Sequence, residues 1–524
     1  MEIDVTLQTL DWIVILAYGV ALLGIGFWVS FRQRRAEDLF LASRSLRWPS
    51  IGLSIFGTNV DPSMLIAFCG TAYTTGMVIA NFEWLAWLCM LLLAMLFVPH
   101  YLNTNSRTIP EFIRFRFGRS AYVFLSWYTL FTTIFVWLGT TLYASGILFS
   151  QIMDCSFLAS ILVVIVIATS FTVTGGLAAV VITDAFQSVL IIVGAATMTI
   201  ISFVKIGSLQ TLVDSVPVDY WILIRPVNDP EFPWPAMFLG YPVLGIWFFC
   251  ADQTIVQRVL GAKDLRHGQL GVVFAAYLKI LPPFLFMLTG IFCYVLHPNL
   301  ANPDDAFLTM VTNYLPVGMV GLIIAVLAAS LISTVDSALN SLSTVFTLDI
   351  YVSKFHPDAS KEQITRVSRI STIGAAAIAV LCALFMKGVG KNLFDLIMTI
   401  ISFVAPPISA VFVIGVLWKR ATSSAAIWTL IAGSIVSLSV GVCHLQDWPN
   451  KQFWPHYMLL SFYLFVGICT LMVAVSRGTR KSSEEQALST LREIYTSQNT
   501  QPRLVWCLWG VLAVIMLILY LIFN

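Results

Sequence analysis

Stretches of about twenty apolar residues recur along the whole chain, and that recurrence leaves few folds open. A hydrocarbon core about 30 Å thick is crossed by about 20 helical residues. Across 524 residues that ruler finds fourteen stretches, starting near Trp12, Trp48, Val78, Ala121, Phe157, Val180, Ala236, Gln269, Val317, Ile370, Leu393, Ser424, His456 and Leu504. In lipid the backbone must satisfy its own polar groups, so each stretch predicts an α-helix. Composition agrees: 58% of residues are hydrophobic and 11% charged, against about 25% charged in soluble domains. A cytosolic enzyme, a disordered chain and a nucleic-acid binder with a basic face are excluded. The nine cysteines are scattered, with no CxxC and no zinc spacing. They predict apolar fillers, not a disulfide framework or a metal fold. No P-loop or GxGxxG follows a strand, so no enzyme and no resident cofactor are expected.

Charge order gives the topology. Glu2 and Asp4 precede the first stretch and Arg32, Arg34 and Arg35 follow it. That order places the N-terminus outside and argues against a cleaved signal peptide. Alternating sides from there, 23 of the 29 basic residues fall in predicted inner loops and five in outer ones. Lys279 lies within a span. This asymmetry is the expected signature of a cytoplasmic side. Short loops and the absence of targeting signals point to a bacterial cytoplasmic (inner) membrane.

Ionisable side chains at membrane depth are costly and mark cavities or partners. Here they are Asp61, Glu83, Asp184, Asp252, Lys279, Asp336 and Asp395. Helix breaks matter equally, because unwound backbone lines solute and ion sites in carriers. Three spans are interrupted: SIFGTNVDPSML around Gly57, Asp61 and Pro62; AMFLGYPVLGIWFFC at Gly240, Pro242 and Gly245; IISFVAPPISAV at Pro406 and Pro407. The first two each open a group of five spans, the spacing of two five-helix repeats of opposite topology. Ordinary proline kinks are the plainer reading. The ninth span carries Ser330, Ser333, Thr334, Ser337, Ser341 and Thr344 at three- and four-residue steps, so several share a face. Such oxygen density suits a hard cation such as sodium, or close helix packing through small residues.

From about Phe40 to Gly433 the chain resembles the sodium/solute symporter family, most closely its sodium–glucose cotransporter branch. The resemblance rests on RSLRWPSIGLSIF, NFEW, RTIPEFIRFRFG, TGGLAAVVITDAFQS, WFFCADQTIVQRVLGAKD, AAYLKILPP, ASLISTVDSALNSLSTVFTLDIY and NLFDLIMTIISFVAPPISAVFVIGVLWKR, in family order. It implies an all-α membrane protein with a LeuT-like five-plus-five inverted-repeat core and flanking helices, about 14 transmembrane helices in all. An extra helix in 1–31 would precede a transport core in 48–420. Two helices in 421–476, a cytoplasmic linker in 477–503 with an amphipathic surface helix, and a last helix in 504–524 would follow. The implied sodium site uses the carbonyls of Gly57, Val60 and Ser330 and the side chains of Ser333 and Thr334. Asp184 matches an aspartate near a second sodium position in some members; capping or pairing with an arginine is its structural alternative. Asn59, Glu83 and Lys279 match sugar-contacting residues, and Trp247 and Ser337 are counted with that solute site. Glu83 and Lys279 could instead form an ion pair that never meets solute.

Departures from the sugar pattern widen the solute reading. Met398 stands where that branch has a sugar-contacting glutamine, Phe248 where it has a tyrosine over the sugar, and Met64 replaces a polar residue. Two carboxylates are added. Asp61 admits three roles: capping the following half-helix, pairing with a solute ammonium among Phe56, Trp247, Phe248 and Phe249, or binding an ion. Asp336, three residues after Ser333, could form a possible second ion site with Asp184 or carry a proton. Together these residues predict a sodium-coupled symporter importing a small polar solute (a sugar, polyol or sugar derivative) by alternating access. The alternative is a carrier of an amine or quaternary-ammonium solute. A sensor would need an output domain, and a hydroxyl ladder suits stepwise coordination better than an open channel. The expected partners are the solute, Na+ as coupling ion and the lipid bilayer, with no nucleic acid. Oligomeric state leaves no mark on the sequence.

Overall fold

In the computed structural model the described residues are all except 1–6, 33–35, 61, 154, 388–392, 481–487 and 499–501. Among them every element is helical, apart from isolated bridges at Leu46–Ala262 and Arg225–Pro233. In chain order the helices that matter are α1 (Thr9–Arg32), α2 (Trp48–Asn59), α3 (Pro62–Thr75) and α4 (Asn81–Trp84). Then come α5 (Arg119–Ser150), α6 (Phe157–Ile206), α7 (Ala236–Ala251), α8 (Gln253–Leu260), α9 (Leu265–Leu296) and α10 (Met319–Phe355). The last six are α11 (Lys361–Met386), α12 (Leu393–Leu417), α13 (Ser423–Leu445), α14 (Tyr457–Gly478), α15 (Leu491–Ser497) and α16 (Arg503–Ile522).

Eleven helices among the described residues are long and apolar enough to cross a membrane, and the bent pair α7–α8 makes twelve. Fourteen are expected from sequence. The difference falls where helices are short or fused: α2 has 12 residues, Leu65–Asn103 runs as one stretch, and Phe157–Ser170 is a short apolar segment. The last of these belongs to α6, which turns sharply at Gly176 (φ 55°, ψ −162°). There a Cβ would meet the backbone of Leu39 at 2.5 Å, in a conformation open mainly to glycine. The outward faces are apolar, with Leu16, Val20, Val163, Leu381 and Leu521 exposed. In a bilayer those faces meet lipid. This is an integral, multi-pass membrane protein.

Of the three expected breaks, one moves and one is absent. In the seventh span the chain bends by 44° after Ala251, not at Gly240, Pro242 or Gly245. Asp252 leaves helical geometry (φ −79°, ψ 128°) and its side chain accepts from Thr254 N at 2.8 Å, so a new helix starts there. The two glycines instead permit close packing, Gly240 on Met458 and Gly245 on Cys89. The eleventh span runs unbroken through Pro406 and Pro407 as α12. Pro407 cannot donate to Phe403 O, and Ser437 Oγ fills that role at 2.6 Å. The first break stands: α2 ends at Asn59, Val60 is non-helical and α3 begins at Pro62.

The interior is organised around α6 and α10, which pack along each other and against α1, while α2 lies between α6 and α9. Of the expected linker helix, α15 is described. A Thr490–Glu493 capping box starts it, and Tyr495 Oη receives Gln269 Nε2 at 2.7 Å. At the opposite terminus of the preceding span, His456 caps α14 by accepting from Met458 N at 3.3 Å. Burial pushes its imidazole down to about 4, whereas the unfolded ring titrates near 6.5. As pH falls the unfolded chain takes the proton first. Stability is therefore full above about pH 6.5 and declines toward pH 4, by up to about 3 kcal/mol. His456→Asn should flatten that limb of a detergent unfolding profile.

Candidate ion and solute sites

The break between α2 and α3 turns backbone oxygen toward α10. Ser330 Oγ donates to Val60 O, and Thr334 Oγ1 donates to Thr58 O at 3.1 Å and to Ser330 O at 3.2 Å. Ser333 Oγ donates to Asp184 Oδ1 at 2.5 Å. Gly57 lies against α6: a Cβ there would meet Ser188 Oγ, Asp184 O at 3.1 Å and Ser333 Oγ at 3.4 Å. Gly57, Val60, Ser330, Ser333 and Thr334, the five residues expected to hold sodium, therefore gather at one buried place. Asp61 lies outside the described residues, as do the side chains of Met64 and Asp395.

Asp184 is fully buried and paired with an arginine, its structural alternative. Its Oδ2 receives Arg258 Nη2 at 3.2 Å, Ser54 Oγ at 2.5 Å and Thr58 Oγ1 at 3.4 Å. Arg258, one of the 23 basic residues that sequence places in inner loops, is buried instead, at 1% exposure. It bonds to Ser54 through Nε at 2.6 Å, and also to Thr58, Ser337 and Thr254 O. The cause is the bend at Asp252, which carries α8 back under α2, α6 and α10. Ser337, expected with the solute, lies in this cluster and does not line the cavity described below. Beside it Asp336 is fully buried; its Oδ1 is 3.4 Å from Ser337 Oγ and its Oδ2 has no partner. Of the two carboxylates, Asp184 holds the guanidinium. With both ionised, one negative charge is left for a cation to offset.

A cavity of about 90 Å³ lies alongside. Asn59, Glu83, Trp247, Phe248, Lys279 and Met398 all line it. Glu83 on α4 and Lys279 on α9 form an ion pair at 2.7 Å, both buried. The ammonium sits 5.6 Å from the centre of the Phe249 ring. Asn59 Oδ1 is buried with no partner. Two π-helical turns, Thr133–Gly139 and Ile246–Ala251, present Val136, Trp137, Trp247 and Phe248 to the cavity. Such turns add a residue per turn and recur at functional sites. Sequence reasoning missed Trp137, whose indole N–H donates to Asp252 Oδ2 at 3.1 Å and whose ring lies 5.1 Å from Phe248. It missed Tyr241 as well. A buried aspartate in a span requires a donor, and that requirement was the available signal for both Arg258 and Trp137.

A bundle of membrane helices, two of them interrupted at a buried oxygen cluster beside a cavity, defines a membrane carrier. The profile of the sodium:solute symporter family matches residues 39–433. The chain is 32% identical to a sodium/glucose cotransporter 2 of Rattus norvegicus over 90% of this chain and 78% of that protein. It is likewise 32% identical to a sodium/myo-inositol cotransporter 2 of Oryctolagus cuniculus, over 92% and 78%. Its fold is that of a Na+-coupled sialic acid symporter, with a TM-score of 0.76 at 20% identity, covering 91% of this chain and 99% of the other. The chain belongs to the sodium:solute symporter family: it is a sodium-coupled solute symporter.

Proposed function

We propose that this symporter imports a small neutral polyhydroxylated solute, a sugar, polyol or sugar derivative, by alternating access within a core spanning 48–420. The observation that carries the reading is the Glu83–Lys279 pair beside the unpartnered Asn59 amide in one cavity. Paired charges present acceptors and donors together without calling for a charged solute, and hydroxyl groups use both. Similarity to carriers named for glucose and myo-inositol supports it. Sodium binds at the Gly57, Val60 and Ser330 carbonyls with the Ser333 and Thr334 hydroxyls, and Asp184 with Asp336 forms a second cation position. The cavity and the sodium ligands share α2, which ends at Asn59 beside Val60. Solute and ion thus order the same turn, and each lowers the cost of ordering it for the other.

In proteoliposomes, an inward sodium gradient should drive accumulation of hexoses or inositols, and a matched potassium gradient should not. Accumulation indifferent to sodium would overturn the coupling. Accumulation of amines alone would overturn the solute class.

A further inference from the structure

The polar capacity of the cavity is concentrated in three residues. Asn59 offers a buried amide oxygen without a partner, and Glu83 and Lys279 offer an ion pair. Most other polar side chains in the lining have committed their protons to the chain. Tyr241 Oη donates to Phe82 O at 2.6 Å, Trp137 Nε1 to Asp252 Oδ2 at 3.1 Å, and Thr140 Oγ1 to Val136 O. Thr141 adds a hydroxyl and Trp247 an indole N–H. Val136, Leu244, Phe248, Met398 and Ile401 bring only carbon and sulfur.

A solute filling this space needs hydroxyls for the amide and the ion pair, and one portion that needs no partner. A hydroxyl set against Met398, Ile401 and Val136 loses water and gains nothing in return. A methyl group there is favoured by its burial. The solute that meets both demands keeps its ring hydroxyls and ends in a methyl. Resting on the sugar reading above, we infer that the carrier selects 6-deoxyhexoses over the parent hexoses.

The test is sodium-driven uptake into proteoliposomes of matched pairs differing only at carbon 6: L-fucose with L-galactose, L-rhamnose with L-mannose, and 6-deoxy-D-glucose with D-glucose. In at least one pair the deoxy sugar should show at least roughly tenfold higher uptake efficiency, within the about 100-fold by which an apolar pocket rejects an added hydroxyl. Met398→Gln, and separately Ile401→Thr, should shrink that ratio by supplying a partner. Sodium-driven uptake in which the parent hexose equals or exceeds its deoxy partner in every pair overturns the inference and leaves the sugar reading standing. A preference unmoved in both variants overturns the assignment to this part of the lining. Absence of sodium-driven uptake for every sugar and for inositol overturns both.

Discussion

Arg258→Met should lower the unfolding free energy of the carrier by about 3–5 kcal/mol, the scale for removing one partner of a buried ion pair. The guanidinium is bonded to Asp184, Ser54, Thr58, Ser337 and Thr254 O, so its loss leaves a buried carboxylate and several hydroxyls without a cation. Chemical unfolding in detergent, read by tryptophan fluorescence, measures the change. The double variant Arg258→Met/Asp184→Asn removes both charges and should recover much of the stability. Sodium activation should not recover with it. Asp184 Oδ1 accepts from Ser333, one of the proposed sodium ligands, and the carboxylate adds to the negative field there. Half-maximal sodium should therefore rise at least tenfold in the double variant, because one charge-assisted contact is worth about 1.5–3 kcal/mol. A double variant stable yet normal in sodium activation would confine Asp184 to architecture.

This pair also shows how far the sequence could be read. The apolar stretches, the break before Pro62 and the hydroxyl face of α10 follow from local rules, because span length and helical period are properties of neighbours in the chain. Ser330, Ser333, Thr334, Gly57 and Val60 meet at one buried place. The misses are relations between distant segments. Arg258 sits in a polar stretch, QTIVQRVLGAKD, which alone looks like a cytoplasmic loop; only the bend at Asp252 turns it inward. Gly240 and Gly245 look like breaks but are packing positions, since a missing Cβ serves either use. Pro406 and Pro407 look like a break and are not one, because Ser437 on another helix satisfies the freed carbonyl. Helix count blurs for the same reason: a turn as sharp as Gly176 leaves hydrogen bonding nearly continuous.

Lys279→Met should abolish measurable solute uptake and lower stability by about 3–5 kcal/mol, because Glu83 is then a lone buried carboxylate. Those two effects can be separated. Glu83→Gln/Lys279→Met keeps similar volumes, removes both charges and should restore most of the stability. The solute, however, loses two charge-assisted hydrogen bonds of about 1.5–3 kcal/mol each. Half-saturating solute should then rise by about 100-fold or more, while half-maximal sodium at saturating solute shifts far less. The exchanged pair Glu83→Lys/Lys279→Glu is the sharper probe. It preserves net charge and leaves an ion pair available, so stability should approach that of the parent. Donor and acceptor now face the solute from opposite helices, α4 and α9, and transport should remain impaired. Transport restored by the exchange would show that the pair only neutralises itself, and Asn59 would then be left as the polar anchor of the cavity.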